Sequence, residues 1–452
     1  MNLKDEIMSF RTDKQTLEDL MLFGRSNCRS VFEIFNHTHS RGAMRVMGDM
    51  FRNPLSDDQA IRNRIDNIAF FTMRTVGFPF TGEMFDALEF YLSNVDRRTQ
   101  LTKEQGNVSQ KLRNMLRSST ESAWIYNGIN ASLGLLNSLD VFLKQLLENG
   151  YPDADNRCEE LGQLLASEEW KWYVEYKEKK KLTQDQSIEL DRAFRFQFRD
   201  RLSRILEHIF FLDVYISVAA VAVERKYVFP KVHPAENICL KLKGVYHPLL
   251  DKPVGNDLEM DKETNVIFLT GANMAGKSTM MKTLSIALFL AHMGFPVPAA
   301  AMEFSVRNGM FTTINLPDNL NRGYSHFYTE VMRVKKVGEN LHNTGRLIVL
   351  FDELFRGTNV KDAYDATLAV VQAFAKNRDS LFIISTHITE VGEALKGVCK
   401  NIRYLYMPTR MENMKPVYPY KLTEGITTDR HGLVIVNNEH IVEIIKGEYH
   451  DF

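Results

Sequence analysis

An α-helical domain followed by an α/β domain is the architecture this sequence predicts, and three observations predict it. Residues 1 to about 235 are poor in helix breakers, and between Pro79 and Pro230 the only proline is Pro152. Within that region Leu202, Ile205, Leu206, Ile209, Leu212 and Ile216 keep an i, i+3, i+4 spacing, the period of a helix that buries one face. From residue 236 onward short apolar runs alternate with helical segments: "NVIFLT" (265–270), "RLIVLFDE" (346–353) and "SLFIIST" (380–386). Runs this short and this apolar suit strands buried on both faces, in a sheet covered by helices.

In chain order, "NHTHS" carries His37 and His39 with no other metal ligand nearby, and polar residues on a helix face are the reading. Pro152, in "ENGYPDADN", marks a turn between helices. "KEKKK" (177–181) reads as a solvated helix face, with phosphate binding as the alternative. "FPKVHPAEN" (229–237) reads as the linker between the two domains. "LSIALFLAHMGF" (284–295) is too short for a membrane span and reads as a buried helix. No fixed-period repeat and no low-complexity segment stands out.

Composition sets coarse limits. The 452 residues are 44% hydrophobic and 25% charged with a net charge of −1, so no strong overall field draws the chain to nucleic acid or membrane. Cys28, Cys158, Cys239 and Cys399 are too scattered for a metal-ligand spacing and read as reduced thiols. The opening "MNLKDEIMSF" carries acidic residues where a signal peptide needs an apolar run. These features predict a cytoplasmic protein with no membrane partner.

The chemistry is concentrated at three strand ends. "VIFLT" runs into "GANMAGKST" (271–279), which fits G-x-x-x-x-G-K-[ST]. Gly271 and Gly276 let the backbone N–H groups of the loop, from Ala272, Asn273, Met274 and Ala275, turn toward a phosphate. Lys277 supplies positive charge, Ser278 a hydroxyl for Mg²⁺, and the helix that opens at Ser278 and Thr279 presents its N-terminus to the anion. "LIVLFDELFRGT" (347–358) ends a buried strand in Asp352, suited to hold Mg²⁺, and Glu353, suited to orient or deprotonate an attacking water. "IISTHITEV" (383–391) ends another strand at His387, which can bond a γ-phosphate or that water. Either strand end alone reads as well as exposed polar residues. Three converging on one ligand read as an ATP site in which Glu353, His387 and Lys277 do the chemistry.

Those motifs resemble the MutS family of DNA mismatch-repair ATPases, within the wider ATP-binding-cassette class of P-loop NTPases. "TGANMAGKSTMMKT" is similar to the family's P-loop, including Asn273, "DELFRGTNVKDA" (352–363) to its Walker B and D-loop with Gly357, Thr358 and Asp362 in place, and "STHITEV" to its switch-histidine segment. "YHPLLDKPVGND" (246–257) resembles the opening of the ATPase domain and "YKLTEGITTDRHGLVIV" (420–436) its C-terminal stretch; by that likeness Val254 and Tyr420 flank the base. "VFEIFNHTHSRGAMRVMGDMFRNPLSD" (31–57) and "LDVYISVAAVAVERKYVFPKV" (212–232) resemble the two ends of the helical core, or lever, domain.

The resemblance implies a helical core/lever domain over 1–235, with its clamp reduced or absent, and an ATPase domain with a C-terminal dimerisation segment over 236–452. It also gives "DNLNRGYSHFYTEV" a role as the loop that meets the partner's nucleotide, with Asp318, Leu320, Gly323, Ser325, Phe327 and Glu330 at the family's places. Ser325, at a helix N-terminus, would serve ATP in trans, and His326 stands where the family usually has Thr. The implied cofactors are ATP and Mg²⁺. The implied partners are a second copy or a full-length relative, and double-stranded DNA. The chain shows no Gly-x-Phe-Tyr-Glu motif, and as read it begins at about the lever domain, leaving no room for mismatch-recognition and connector domains. A second class of function therefore stands beside the first: an ATP-gated dimeric scaffold that grips a protein partner without touching DNA.

Overall fold

The computed structural model describes residues 10–24, 29–74, 76–102, 108–176, 179, 181–314, 326–412, 415–427 and 440–446. They fall into two compact units that interleave along the chain. One unit is Ile34–Arg52 with Asn63–Glu224, and the other is Met1–Glu33, Asn53–Arg62 and Arg225–Phe452.

The first unit is helical. Its longest elements are Val108–Glu148 and Arg199–Arg225, and the periodic residues Leu202, Ile205, Leu206, Ile209 and Leu212 are all buried. Among the described residues Arg199–Arg225 is the one helix long and apolar enough to cross a membrane, yet 72% of its apolar window is buried inside the protein. A fully buried ion pair locks the helix Gln184–Arg192 to the chain that precedes the helix Val108–Glu148. Arg195 donates to both carboxylate oxygens of Asp191 at 2.6 Å and to Thr99 Oγ1 at 2.9 Å. Asp191 also accepts from Tyr91 Oη and from the Leu101 N–H, each at 3.0 Å. With every lone pair engaged, the pair offsets the desolvation that an isolated buried charge would suffer.

One expectation changes here. His37 and His39 do not sit on a helix face; they lie in the connection between the helices Val31–Phe35 and Arg41–Arg52. The backbone N–H groups of His39 and Ser40 and the His39 ring all converge on buried Asp213, a carboxylate that needs those donors because it has no water. Of "KEKKK", only Lys179 and Lys181 fall within the described residues, and the Lys179 amine lies over the Tyr176 ring at 4.8 Å.

Among the described residues the second unit holds three sheets, the smallest a two-stranded ribbon of β10 (Arg410–Glu412) and β11 (Lys415–Val417). A six-stranded sheet runs β12 (Thr423–Glu424), β9 (Ile402–Met407), β4 (Val266–Gly271), β8 (Leu381–Ser385), β7 (Leu347–Phe351), β6 (Gly309–Thr313). It is parallel apart from edge strand β12. Every residue of β4, β6, β7 and β8 is buried, which is why β4, β7 and β8 read as continuous apolar stretches. The second sheet runs β1 (Lys231–His233), β5 (Ala301–Ser305), β2 (Cys239–Val245), β3 (Asn256–Asp261). The apolar stretch 284–295 does form most of a buried helix, Lys277–His292.

The segment "FPKVHPAEN" is not a free linker, because its centre is β1, paired in parallel with β5. Residues 10–33 also depart from expectation, joining the α/β unit rather than the helices. Strand β6 would otherwise leave an open sheet edge, which proteins cover. Arg11 bridges Gly309, Thr16 Oγ1 accepts from the Thr312 N–H at 3.0 Å, and Asp19 accepts from Thr312 Oγ1 and the Ile314 N–H at 2.8 and 2.9 Å.

Candidate nucleotide site

The carboxyl ends of β4, β7 and β8 supply the site, as expected for an open parallel sheet. After β4 the chain turns through 272–276 into the helix Lys277–His292. Gly276 has φ +101°, and a Cβ there would stand 3.0 Å from the Tyr420 ring, so both backbone and space demand glycine. Lys277 is buried, with its ammonium donating to the carbonyls of Gly271 at 2.9 Å and Ala272 at 3.2 Å. Burial pushes its pKa down, against the pull of Asp352 and Glu353.

The two acids after β7 are stitched to their neighbours through the backbone. The Asp352 N–H donates to Thr313 O at 2.9 Å and the Glu353 N–H to Ser385 O at 3.0 Å. Asp352 then accepts from the Ser278 hydroxyl on one oxygen and from Ser385 Oγ, at 2.5 Å, on the other. Glu353 adopts a left-handed φ of +55°, which turns its carboxylate away from Asp352 and toward His387. His387 Nε2 lies 2.6 Å from Glu353 Oε1, and Arg356 donates to Oε2 at 3.1 Å. Hydrogen bonding from His387 outweighs partial burial and, with Arg356 and Lys277, holds the Glu353 pKa at about 2.

A cleft of about 620 Å³ opens over the 272–279 loop and Glu353, within the size range of small-molecule and cofactor sites, while Asp352 lines a separate cavity with Ser278 and Glu353. Ala272, Asn273, Met274, Gly276, Lys277, Ser278 and Thr279 line the cleft together with Glu353, and Val254 and Tyr420 stand in the same cleft. Ala275 is buried beneath the loop, and Gly271 contributes its carbonyl to Lys277 rather than a wall. His387 meets the cleft only through Glu353. Ser325, with Asp318, Leu320 and Gly323, lies outside the described residues. The helix His326–Thr344 starts immediately after Ser325. Its His326 ring nitrogen is 3.6 Å from Glu330, whose carboxylate accepts from the Gly357 N–H at 3.3 Å.

Three contributors were not singled out from the sequence. Ser385 is buried inside "IIST", one residue before the Thr-His pair that drew attention. Arg356 follows Glu353 by three residues. Asn256 ties the two flanks of the cleft, donating to Tyr420 O at 2.9 Å and accepting from the Leu422 N–H at 2.8 Å. The only sequence signal for Asn256 was its place in "PVGND", and a contact spanning 164 residues has no local signature.

Residues 267–448 match the family model described as MutS domain V, the stretch that carries the P-loop, both acids and His387. Over this part of its length the chain is similar to the MutS family. Similar proteins include the DNA mismatch repair protein MutS of Geobacillus sp. (strain WCH70), 30% identical over 63% of this chain and 34% of that protein. The protein of the same name from Geobacillus thermodenitrificans is 30% identical over 62% of this chain and 32% of its own length. That from Caldicellulosiruptor bescii is 31% identical over 57% and 31%. The chain thus matches about a third of the length of these curated relatives.

Proposed function

We propose that this MutS-like chain binds ATP with Mg²⁺ and hydrolyses it at an interface between two copies. In this reading it is an ATP-binding-cassette-class P-loop ATPase whose nucleotide cycle opens and closes helical levers, formed by the helical unit, on double-stranded DNA. The setting is mismatch repair or a related DNA-processing role. The observation that carries the ATPase reading is the linkage of Ser278, Asp352 and Ser385 beneath the P-loop, beside the Glu353–His387 pair. A P-loop hydroxyl bonded to a strand-end carboxylate is a hard-oxygen donor set, which suits Mg²⁺. Ser278 and Asp352 would hold the ion, which when bound neutralises phosphate charge.

The protein's own groups then have distinct tasks. The loop N–H groups and Lys277 receive the phosphates, Lys277 exchanging two backbone carbonyls for phosphate oxygens. Glu353 aligns a water, and His387 holds Glu353 in register. Val254 and Tyr420 flank the base. Ser325 would complete the partner's site, and Tyr328 and Met332, exposed on the helix that follows it, fit a surface that a second copy covers. A heterodimer with a full-length relative would use the same surface.

The near-neutral net charge favours a second reading, an ATP-gated scaffold gripping a protein partner without DNA contact. Duplex binding measured against salt separates the two. Phosphate contacts release counterions, so a DNA-acting chain must bind more weakly as salt rises. Absence of duplex binding at low salt, with and without a non-hydrolysable ATP analogue, would overturn the DNA reading while leaving the ATPase untouched.

A further inference from the structure

On the four-stranded sheet three different metal-ligand types come together, none of them lining the nucleotide cleft. We propose that His233, Cys239 and Glu303 form a binding site for a zinc-like divalent cation that clasps strands β1, β5 and β2. The ligand atoms of the three residues all lie within 4.8 Å of one another. His233 Nε2 is already 2.8 Å from Glu303 Oε2.

Strand register explains why they meet. β1 and β2 flank β5 on either side, and His233 pairs with Ser305 while Leu240 pairs with Phe304. Continuing that register by one residue puts Cys239 across from Ser305, and the Cys239 N–H donates to Ser305 Oγ at 3.0 Å. His233, Ser305 and Cys239 therefore form one row across three strands, spanning roughly two inter-strand spacings of about 4.8 Å each. The middle position carries only a serine, whose hydroxyl is turned to Cys239 backbone and to Arg307. Glu303 sits two residues back on the same face of β5 and reaches over the gap. A long imidazole on one side, a short thiol on the other and a carboxylate from behind thus face one another across the serine of the middle strand.

The donor set selects the ion. Thiolate, imidazole and carboxylate bind Zn²⁺ at about 2.3, 2.0–2.1 and 2.0–2.2 Å and leave a fourth position open. Thiolate disfavours Mg²⁺ and Ca²⁺, which need oxygen ligands. Bringing the three atoms to tetrahedral separations needs a movement of about 1 Å in side chains that are only partly buried. Lys231 Nζ, 3.4 Å from Glu303 Oε2, is the cation to be displaced. It is mostly exposed and can turn into water. The site ties β1, the edge strand inside the apparent linker, to β5 through Glu303 and, across β5, to β2 through Cys239.

The test uses the full chain, stripped with a chelator and free of nucleotide, titrated with Co²⁺ and then Zn²⁺. The expected result is one Co²⁺ per chain with a thiolate-to-metal charge-transfer band, displaced by Zn²⁺. Zn²⁺ should also raise the thermal midpoint by mass action. Cys239→Ser should lose the band, and His233→Ala and the near-isosteric Glu303→Gln should weaken binding by more than the roughly 10–100-fold that losing a supporting group costs. Cys399→Ser should behave as the unsubstituted chain. No band at saturating Co²⁺, or a band that persists in Cys239→Ser, overturns the proposal, as does an affinity unchanged in both His233→Ala and Glu303→Gln. Circular dichroism of each variant distinguishes a lost ligand from a lost fold.

Discussion

Glu353→Gln is the substitution that bears hardest on the proposed mechanism. It keeps the shape of the side chain and removes its charge, so the pairs with His387 and Arg356 lose their ionic character. The depression of the Glu353 pKa from 4.5 to about 2 corresponds to roughly 3 kcal/mol of preference for the ionised form. That magnitude decides between two roles. A general base works best with a pKa near the operating pH, and a carboxylate held at about 2 takes protons poorly. In the proposed mechanism Glu353 therefore orients and polarises water rather than taking its proton. Removing such a preorganised group costs about 10²–10³ in turnover, whereas positioned proton transfer contributes up to about 10⁴.

The assay is single-turnover ATP hydrolysis beside equilibrium nucleotide binding. Binding should survive and hydrolysis should fall, accumulating an ATP-bound dimer. The pH dependence follows from the sign of the shift. A depressed carboxylate pKa stabilises the fold above its unfolded value of 4.5, and that contribution is lost as pH falls toward 2. Glu353 thus stays ionised down to about pH 3, and no acid limb between pH 7 and 5 should belong to it. Hydrolysis at the normal rate in Glu353→Gln would refute the assignment. An acid limb near neutrality that vanishes in this variant would refute the orienting role in favour of proton abstraction.

The remaining expectations are simpler. Lys277→Ala should weaken ATP binding itself, since the P-loop then lacks its cation; titration calorimetry checks this, and unchanged affinity would count against the P-loop reading. Ser325→Ala should spare ATP binding to the single chain yet impair dimerisation and hydrolysis, read by light scattering and turnover; an unaffected dimer and rate would reduce that serine to a helix cap. Asp13→Ala should destabilise the chain by about 3–5 kcal/mol, because it leaves Arg333, only 7% exposed, without its main counter-ion. Burial alone would raise the Asp13 pKa, but Arg333 and Lys336 hold it well below the ordinary carboxylate range. Its stabilisation is therefore present above the unfolded value of 3.8 and lost as pH falls below it, and denaturant melts of the two chains at pH 7 should differ more than at low pH.

What could be read from the sequence, and what could not, divides by the range of the interaction. β4, β7 and β8 were legible because a strand buried on both faces writes its environment into five or six consecutive apolar residues. Gly276, Lys277 and Ser278 were legible because phosphate chemistry needs those types at fixed spacing on one turn. The stitching of Asp352 to Ser278 and Ser385 joins positions 74 and 33 residues apart, and Asn256 reaches Tyr420 across 164. No local period encodes such pairs. The same limit explains β1. Three residues between two prolines look like a linker until β5, seventy residues later, provides the backbone partners. It explains Cys239 too: scattered cysteines exclude a metal site only when the other ligands must be near in sequence. Here the register of three strands brings a histidine and a glutamate to the thiol. Spacing rules thus find sites built on one turn of chain, while sites built across a sheet have to be read from strand order.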